Sequence, residues 1–394
     1  GANTARPEIR LFIDSCWRMM LVIWSTFVPS DRMSPGRYLR RLLARLLFLP
    51  PFLLLQGLHW LGFLFDGLLF RGYRRVVVRS PLFVLGAPRT GTTFAHRLLA
   101  LDRRWTTFST WECLFAPSVT ERYLWTGLAR LDRAIGRPAE RLAGVVGRRL
   151  LAGIDDVHPL GLQAPEEDYF CLSPLLRCFV LVVPFPEARW IWQMAEFDRV
   201  LDPVERRRIM RFYHGCLQRH LYFHGVDRRL LSKNASFAGM TASLLETFPD
   251  CRILRCTREP VAAARSQFNA LVPGLKLFGI PPDDPVFRDR LIDRLAFYHR
   301  HLDEVLGALP RGRWAELSMT ALGNDAEAAV LAACRELGIA VGPGYQAELA
   351  RVAAAARGHR PAVAPPLDVS GLDAATLRRR LGGGRRSQKE LTPC

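Results

Sequence analysis

Between residues 86 and 93 the chain reads Gly-Ala-Pro-Arg-Thr-Gly-Thr-Thr, two glycines with four residues between them and two threonines after. The spacing is that of a Walker A loop, GxxxxGK[ST], and it follows a short apolar run and opens a helical pattern, as such a loop requires. Where an NTPase carries its lysine, this chain has Thr92. Main-chain N–H groups of the loop and the helix start can still cradle an oxyanion, because the first donors of a helix lack partners and the helix dipole is positive there. Arg89 supplies charge from within the loop. Lacking the lysine, and a Walker B strand ending in aspartate, the loop is poorly built for magnesium-ATP and suits a donor with a shorter anionic chain.

The string Pro88-Arg-Thr-Gly-Thr-Thr93, after Phe83-Val-Leu-Gly86, resembles the 5′-phosphosulfate loop of sulfotransferases that use 3′-phosphoadenosine-5′-phosphosulfate (PAPS). It is most similar to a broad bacterial branch that shares features with tyrosylprotein sulfotransferases, and the resemblance covers roughly residues 70–380. It implies that Arg89, Thr90, Gly91, Thr92 and Thr93 hold the 5′ end of the donor. It also implies that Arg258 and Ser266, in Thr257-Arg-Glu-Pro-Val-Ala-Ala-Ala-Arg-Ser266, bind the 3′-phosphate. A guanidinium fork at a strand end and a hydroxyl about two helical turns further can converge on one phosphate. The family places a lysine after a strand in a Leu-Leu-Lys-x-Pro-like motif. Here Leu230-Leu-Ser-Lys-Asn-Ala235 matches it, with Ala235 in place of the proline. Lys233 would neutralise charge on the bridging oxygen as adenosine 3′,5′-bisphosphate leaves.

Sulfuryl transfer to a hydroxyl needs a base for the acceptor proton. Three candidates stand open. Glu112, about twenty residues past the loop, matches the catalytic glutamate of the tyrosylprotein relatives. His158 and Glu166 lie in Asp155-Asp-Val-His-Pro-Leu-Gly-Leu-Gln-Ala-Pro-Glu-Glu-Asp168, which also resembles a family motif. The chemistry calls for no metal, and His214, His220 and His224 read as polar-face residues of a helix rather than ligands.

These groups need a scaffold, and the text from residue 81 onward supplies one. Pro81–Leu85, Arg229–Lys233 and Arg252–Arg258 are strand-like runs, each followed by a helical pattern, and Trp314–Ser318 is a further strand. Such alternation argues an α/β fold, a three-layer P-loop-like parallel sheet flanked by helices, with ligands at the carboxyl ends of the strands. The expected organisation is an apolar, basic helical region over 1–75, a sulfotransferase domain over 76–356 with a helical insertion at about 120–226, and a basic segment over 357–394 in which Asp373–Leu381 can form a short helix.

The formal charge is +18, and almost every cation is arginine, Lys233, Lys276 and Lys389 being the only lysines. A positive field suits a polyanionic donor or an anionic membrane; the scattered arginines, with no finger, basic zipper or aromatic RNA-binding pattern, argue against nucleic acid. Nine cysteines without paired spacing, and opening residues without a signal-peptide order, point to a reducing, cytoplasmic setting. Leu46–Phe65 carries no charge and is long enough to cross a bilayer, but Pro50-Pro51 interrupts it. Packing on the protein's own core, lying in a membrane interface and spanning all remain open for it. The reading is therefore a PAPS-dependent sulfotransferase, peripheral or anchored at the cytoplasmic membrane face, acting on a hydroxyl of a small molecule, a lipid or another hydrophobic alcohol. Its rivals are a P-loop kinase or nucleotide-binding module, which would bind magnesium-ATP, and a membrane-surface scaffold that binds no nucleotide.

Overall fold

Leu82-Phe-Val-Leu85 is four apolar residues in a row, and all four are buried because the strand they form has layers on both faces. In the computed structural model, which describes residues 5–29, 33–138, 141, 163–357 and 373–382, this strand β1 (Leu82–Leu85) is the centre of a five-stranded sheet. The others are β2 (Trp105–Thr106), β3 (Arg229–Lys233), β4 (Arg252–Thr257) and β5 (Trp314–Ser318). The order is β2-β3-β1-β4-β5 and every pairing is parallel, with Val84 opposite Lys233 on one side and Leu254 on the other. The two-residue β2 is too short to be read from a period.

Strand alternation separates two cores. Leu82 and Val84 pack with Ala95, Leu98 and Leu99 of α3 (Thr92–Leu99). Phe83 and Leu85 point the other way, into the larger core that includes Tyr213 and Leu217 of helix Pro203–His224. Period-2 side-chain direction thus builds the expected three layers from single strands. Downstream, Pro260–Leu277, Pro285–Gly307 and Ala326–Glu336 are helices, and Ala374–Leu381 forms the expected short helix, its Arg380 pairing with Asp289 at 2.8 Å.

Upstream, α1 (Ala5–Phe27) and α2 (Pro35–Leu69) form an antiparallel hairpin: Tyr38 donates to the Phe27 carbonyl, and the Phe12 and Trp60 rings meet at 5.2 Å. α2 runs unbroken through Pro50 and Pro51. The expected interruption there is absent, and anchors on both sides, Arg45 on the Pro184 carbonyl and Asp66 on the start of α5 (Val119–Ala134), fasten the helix to the domain. Tertiary contacts override the cost of about 3 kcal/mol carried by an interior proline. Most of the C-terminal basic segment and the loop around His158 lie outside the described residues.

Candidate active site

In an open parallel sheet the ligand crevice lies beyond the carboxyl ends of the strands, where the chain order changes direction. Here that point is β1, flanked by β3 and β4, and each of the three loops leaving these strands carries a residue singled out by sequence.

The loop after β1 is shaped by close approach. A Cβ on Gly86 would stand 2.5 Å from the Cys256 carbonyl oxygen and 2.7 Å from Thr90 Oγ1, so no larger residue fits beside β4. Thr90 is buried and donates its hydroxyl to the Ala87 carbonyl at 2.7 Å, bracing the turn and leaving only its main chain toward the cleft. Arg89 takes a left-handed conformation (φ 68°) that non-glycine residues rarely hold. Gly91, also left-handed (φ 92°), is the N-cap of α3, and Thr92 and Thr93 form the first turn. The open N–H donors of that turn face the cleft with Arg89.

The twist in the loop aims Arg89 at a distant part of the chain. Its Nε donates to Ser266 Oγ at 3.1 Å, and Arg258 Nη1 donates to the Arg89 carbonyl at 3.2 Å. The three residues, separated by up to 177 positions, therefore meet at one end of the cleft. Glu259, the nearest carboxylate in sequence to Arg258, is occupied as the N-cap of the following helix, accepting from the Ala262 N–H at 2.7 Å. Arg258 is left facing the loop.

Lys233 ends β3 and is only 3% exposed. Its Nζ reaches Thr93 Oγ1 at 3.1 Å, Glu167 at 2.9 Å and Glu166 at 4.0 Å. The segment bearing these acids is stitched on both sides: the Glu166 N–H donates to the Phe108 carbonyl at 2.9 Å, and the Tyr169 N–H donates to Asn234 Oδ1 at 3.0 Å. Asp168 is the inner anchor. Its carboxylate accepts from Tyr213 OH at 2.6 Å, from Ser232 Oγ at 2.8 Å and from the Asn234 amide. Burial pushes Asp168 up to about 6 against the pull of these three donors. Because Ser232 and Asn234 flank Lys233, Asp168 sets the position of both the lysine and the Glu166-Glu167 pair. Asp168→Asn turns one acceptor into a donor, which faces the Tyr213 hydroxyl if the amide oxygen keeps the Ser232 and Asn234 bonds. The expected cost is about 1–3 kcal/mol of stability, read by denaturant melts, together with weaker turnover. An unchanged melting curve and rate would show that the anchor is dispensable.

Glu167 is four-fifths buried, and that burial raises its pKa although Lys233 opposes the shift. Glu166 and Glu167 both line the cleft, whose volume is about 480 Å³. Arg89, Gly91, Thr92, Thr93 and Arg258 make its cationic, N–H-rich part; Phe170, Phe179, Val183, Leu271 and Leu291 make an apolar wall. One region is suited to an anion and another to a hydrophobic group.

Glu112 sits elsewhere. It is the third residue of helix α4 (Thr110–Phe115), and its Oε2 closes a capping box, accepting from the Ser109 N–H at 2.9 Å and Ser109 Oγ at 2.7 Å. Its Oε1 accepts from His224 Nε2 at 2.5 Å and lies 3.5 Å from Arg122 Nη1. Burial works to raise this carboxyl, but Arg122, His220 and His224 outweigh it and hold the group well below the ordinary carboxylate range. With both oxygens engaged and 2% of its surface exposed, Glu112 is absent from the cleft lining. His220 differs from the polar-face reading: it is fully buried, bonded to Thr106 Oγ1 at 2.8 Å and accepting from Arg122 at 3.1 Å. The Glu112, His220 and His224 donor atoms lie within 4.8 Å of one another, a spacing a metal could use. The Arg122 guanidinium already stands against two of them as their cation. His158 lies outside the described residues.

Sequence reasoning passed over Glu167, Asp168 and Tyr213. The run Glu166-Glu167-Asp168 was the available signal, yet which acid faces the cleft, the lysine or the core depends on the turn that Phe108 and Asn234 impose.

A profile of the sulfotransferase family matches residues 81–343. Among characterised proteins, the omega-hydroxy-beta-dihydromenaquinone-9 sulfotransferase Stf3 of Mycobacterium bovis and its namesake from Mycobacterium tuberculosis are each 26% identical over 278 residues, covering 67% of this chain. The chain spans 64% of the length of these relatives, just under two thirds. Sulfotransferase STF9 of Mycobacterium avium shares the fold with a TM-score of 0.70 at 17% identity, over 95% of this chain and 94% of that one. STF1 of Mycobacterium tuberculosis does so with 0.67 at 16%, over 97% and 99%. The matched residues include every loop described above and more than half of the sequence, and the chain belongs to the sulfotransferase family.

Proposed function

We propose that the protein transfers the sulfuryl group of PAPS to the hydroxyl of a hydrophobic alcohol, a lipid among them, as a peripheral protein at the cytoplasmic membrane face. One observation carries the donor half: Arg89, Arg258 and Ser266, far apart in sequence, converge beside an open helix N-terminus and the buried Lys233. Two anionic groups of one nucleotide fit there, one on the α3 N-terminus with Arg89 and one on Arg258 with Ser266. The apolar wall of the cleft and the menaquinone-derived alcohol in the name of the Stf3 relatives support a hydrophobic acceptor.

In the reaction the acceptor oxygen attacks sulfur, the bond from sulfur to the bridging phosphate oxygen breaks, and that oxygen leaves with the electron pair on adenosine 3′,5′-bisphosphate. Glu167 takes the acceptor proton: it lines the cleft beside Glu166, and burial lifts its basicity toward neutrality. Lys233, 2.9 Å from Glu167 and 3.1 Å from Thr93, turns its ammonium to the departing oxygen. Glu166 accepts from the Glu167 N–H at 2.9 Å and steadies the segment.

Calorimetric titration with adenosine 3′,5′-bisphosphate beside magnesium-ATP tests the donor. The bisphosphate should bind far more tightly, and Arg258→Ala should weaken it by about 10- to 150-fold, the equivalent of about 1.5–3 kcal/mol for a hydrogen bond to a charged group. Equal affinity for both nucleotides, or no loss in the variant, would favour the kinase-like reading instead.

A further inference from the structure

The α1–α2 hairpin turns a broad apolar face to solvent and buries a series of polar side chains. On α2 the side turned toward the rest of the protein is rich in polar residues: Arg41, Arg45, Gln56, His59 and Asp66 are buried there beside Leu49 and Phe63. Arg45 donates to the Pro184 carbonyl at 2.8 Å and pairs with Glu187 at 2.7 Å; His59 donates to Glu121 at 2.6 Å; Asp66 accepts from Arg219 at 2.8 Å. The residues turned to solvent are leucines. Leu43, Leu47, Leu54, Leu58, Leu61 and Leu68 are exposed, Leu47 to 79%, and their spacing keeps them on one face. α1 shows the same outward apolar face, with Leu11, Ser15, Val22 and Thr26 buried and Ile13, Trp17, Met20 and Trp24 outside, Trp24 to 71%. A helix bathed by water carries the opposite polarity, and a continuous apolar face of this length marks a surface that meets something other than water.

Charge identifies the partner. Exposed Arg37 and Arg40 stand at one end of the leucine stripe, and exposed Arg71, Arg74 and Arg75 just beyond the other. Beside the hairpin, Arg208 and Arg211 line an open groove of about 1090 Å³ together with Trp60, Phe63 and Phe212. Apolar residues bracketed by arginine match acyl chains bordered by anionic headgroups. A second copy of the chain matches less well, since a two-fold self-pairing of the stripe would bring arginine clusters together. Spanning does not suit the hairpin either, because α2 is fastened to the domain by polar bonds from Arg45 to Asp66.

We propose that the outer face of α1 and α2 is a docking surface for a bilayer containing anionic phospholipid, with the helices lying in its interface and the groove admitting a lipid from it. The inner side of the same hairpin packs on the segments that wall the cleft: Ser15 and Trp60 donate to the Pro174 carbonyl, and the Phe48 ring meets Phe185 at a tilt and Phe278 edge-on. A lipid-borne alcohol would thus be presented close to the apolar wall. The inference deepens the membrane part of the proposed function and stands apart from its donor half.

Co-sedimentation of the full chain with phosphatidylcholine vesicles, with and without phosphatidylglycerol, tests it, with adenosine 3′,5′-bisphosphate affinity measured in parallel. The wild type should bind phosphatidylglycerol vesicles at least about tenfold more tightly than phosphatidylcholine alone. Trp17→Asp with Trp24→Asp should lose most binding to both while keeping nucleotide affinity, and Arg40→Glu with Arg75→Glu should lose only the preference for the anionic lipid. A wild type that ignores both vesicles, or an aspartate variant that binds as the wild type does, overturns the docking surface. So does a wild-type dimer that the aspartate variant converts to a monomer without any vesicle binding, since a second copy would then be the occupant. Retained nucleotide affinity in these cases leaves the donor reading intact, and its loss in the wild type would speak against that reading alone.

Discussion

Lys233→Met is expected to lower kcat by about 10²- to 10³-fold while changing the KM for PAPS little, the loss typical of removing one group that stabilises charge formed in the transition state. The side chain is buried at the end of β3, held against Thr93 at 3.1 Å and Glu167 at 2.9 Å, so its ammonium is already oriented before the donor arrives. Methionine keeps the length and apolar stem but not the charge, and the parallel register of β3 with β1 does not depend on the ammonium. Lys233→Arg should recover little, because a planar fork cannot occupy the compact site between α3 and the Glu167 carboxylate. Steady-state rates with bisphosphate affinity measured alongside decide it. A Lys233→Met enzyme with wild-type kcat would remove the lysine from the chemistry, and one with lost affinity but unchanged kcat would make it a binding group.

The second large effect separates the carboxylates. Glu167→Gln should reduce kcat by about 10²- to 10⁴-fold, as loss of a general base does, with Glu166→Gln affecting the rate less. The proposed base acts as the ionised carboxylate, and burial raises the pKa of Glu167, so the wild-type rate should fall as pH drops through a value above the ordinary glutamate pKa of about 4.3. In Glu167→Gln that acid limb should disappear. Glu112→Gln should behave differently. It leaves Arg122 buried with a weakened partner and should cost about 3–5 kcal/mol of stability, while the folded fraction keeps its kcat. The sign follows from its lowered pKa: the stabilisation from Glu112 is complete above its unfolded pKa and is lost as pH falls through the lower folded value. A Glu112→Gln variant with normal melting and a 10²-fold loss of rate would reverse the assignment.

The phosphate loop was legible because its chemistry is local. Gly86, Gly91 and the following threonines carry their meaning in spacing, and a helix N-terminus binds an anion wherever it is placed. The strand and helix patterns were legible for the same reason, with β1, β3, β4 and β5 found within a residue of their expected ends. Arg258 and Ser266 needed the family resemblance, and their meeting with Arg89 was visible only once β4 lay beside β1. Glu112 lies away from the cleft lining, since distance along the chain from a loop says nothing of which way a capped helix turns its third residue. The same limit kept the sequence from telling Glu167 apart from Glu166, both of which line the cleft.

Sequence alone sufficed for the α/β class, for a P-loop-like turn at residues 86–93 and for an apolar, basic N-terminus, since each is a matter of residue type and short-range period. Three-dimensional packing was needed to choose among the acids, because burial, a neighbouring guanidinium and hydrogen bonds to Ser109 or Lys233 give chemically identical carboxylates opposite environments. It was needed equally for the hairpin. Composition sees the same leucines whether they face the core or the solvent, and only the bonds of Arg45, His59 and Asp66 to the domain reveal that the polar side of α2 is the one turned inward.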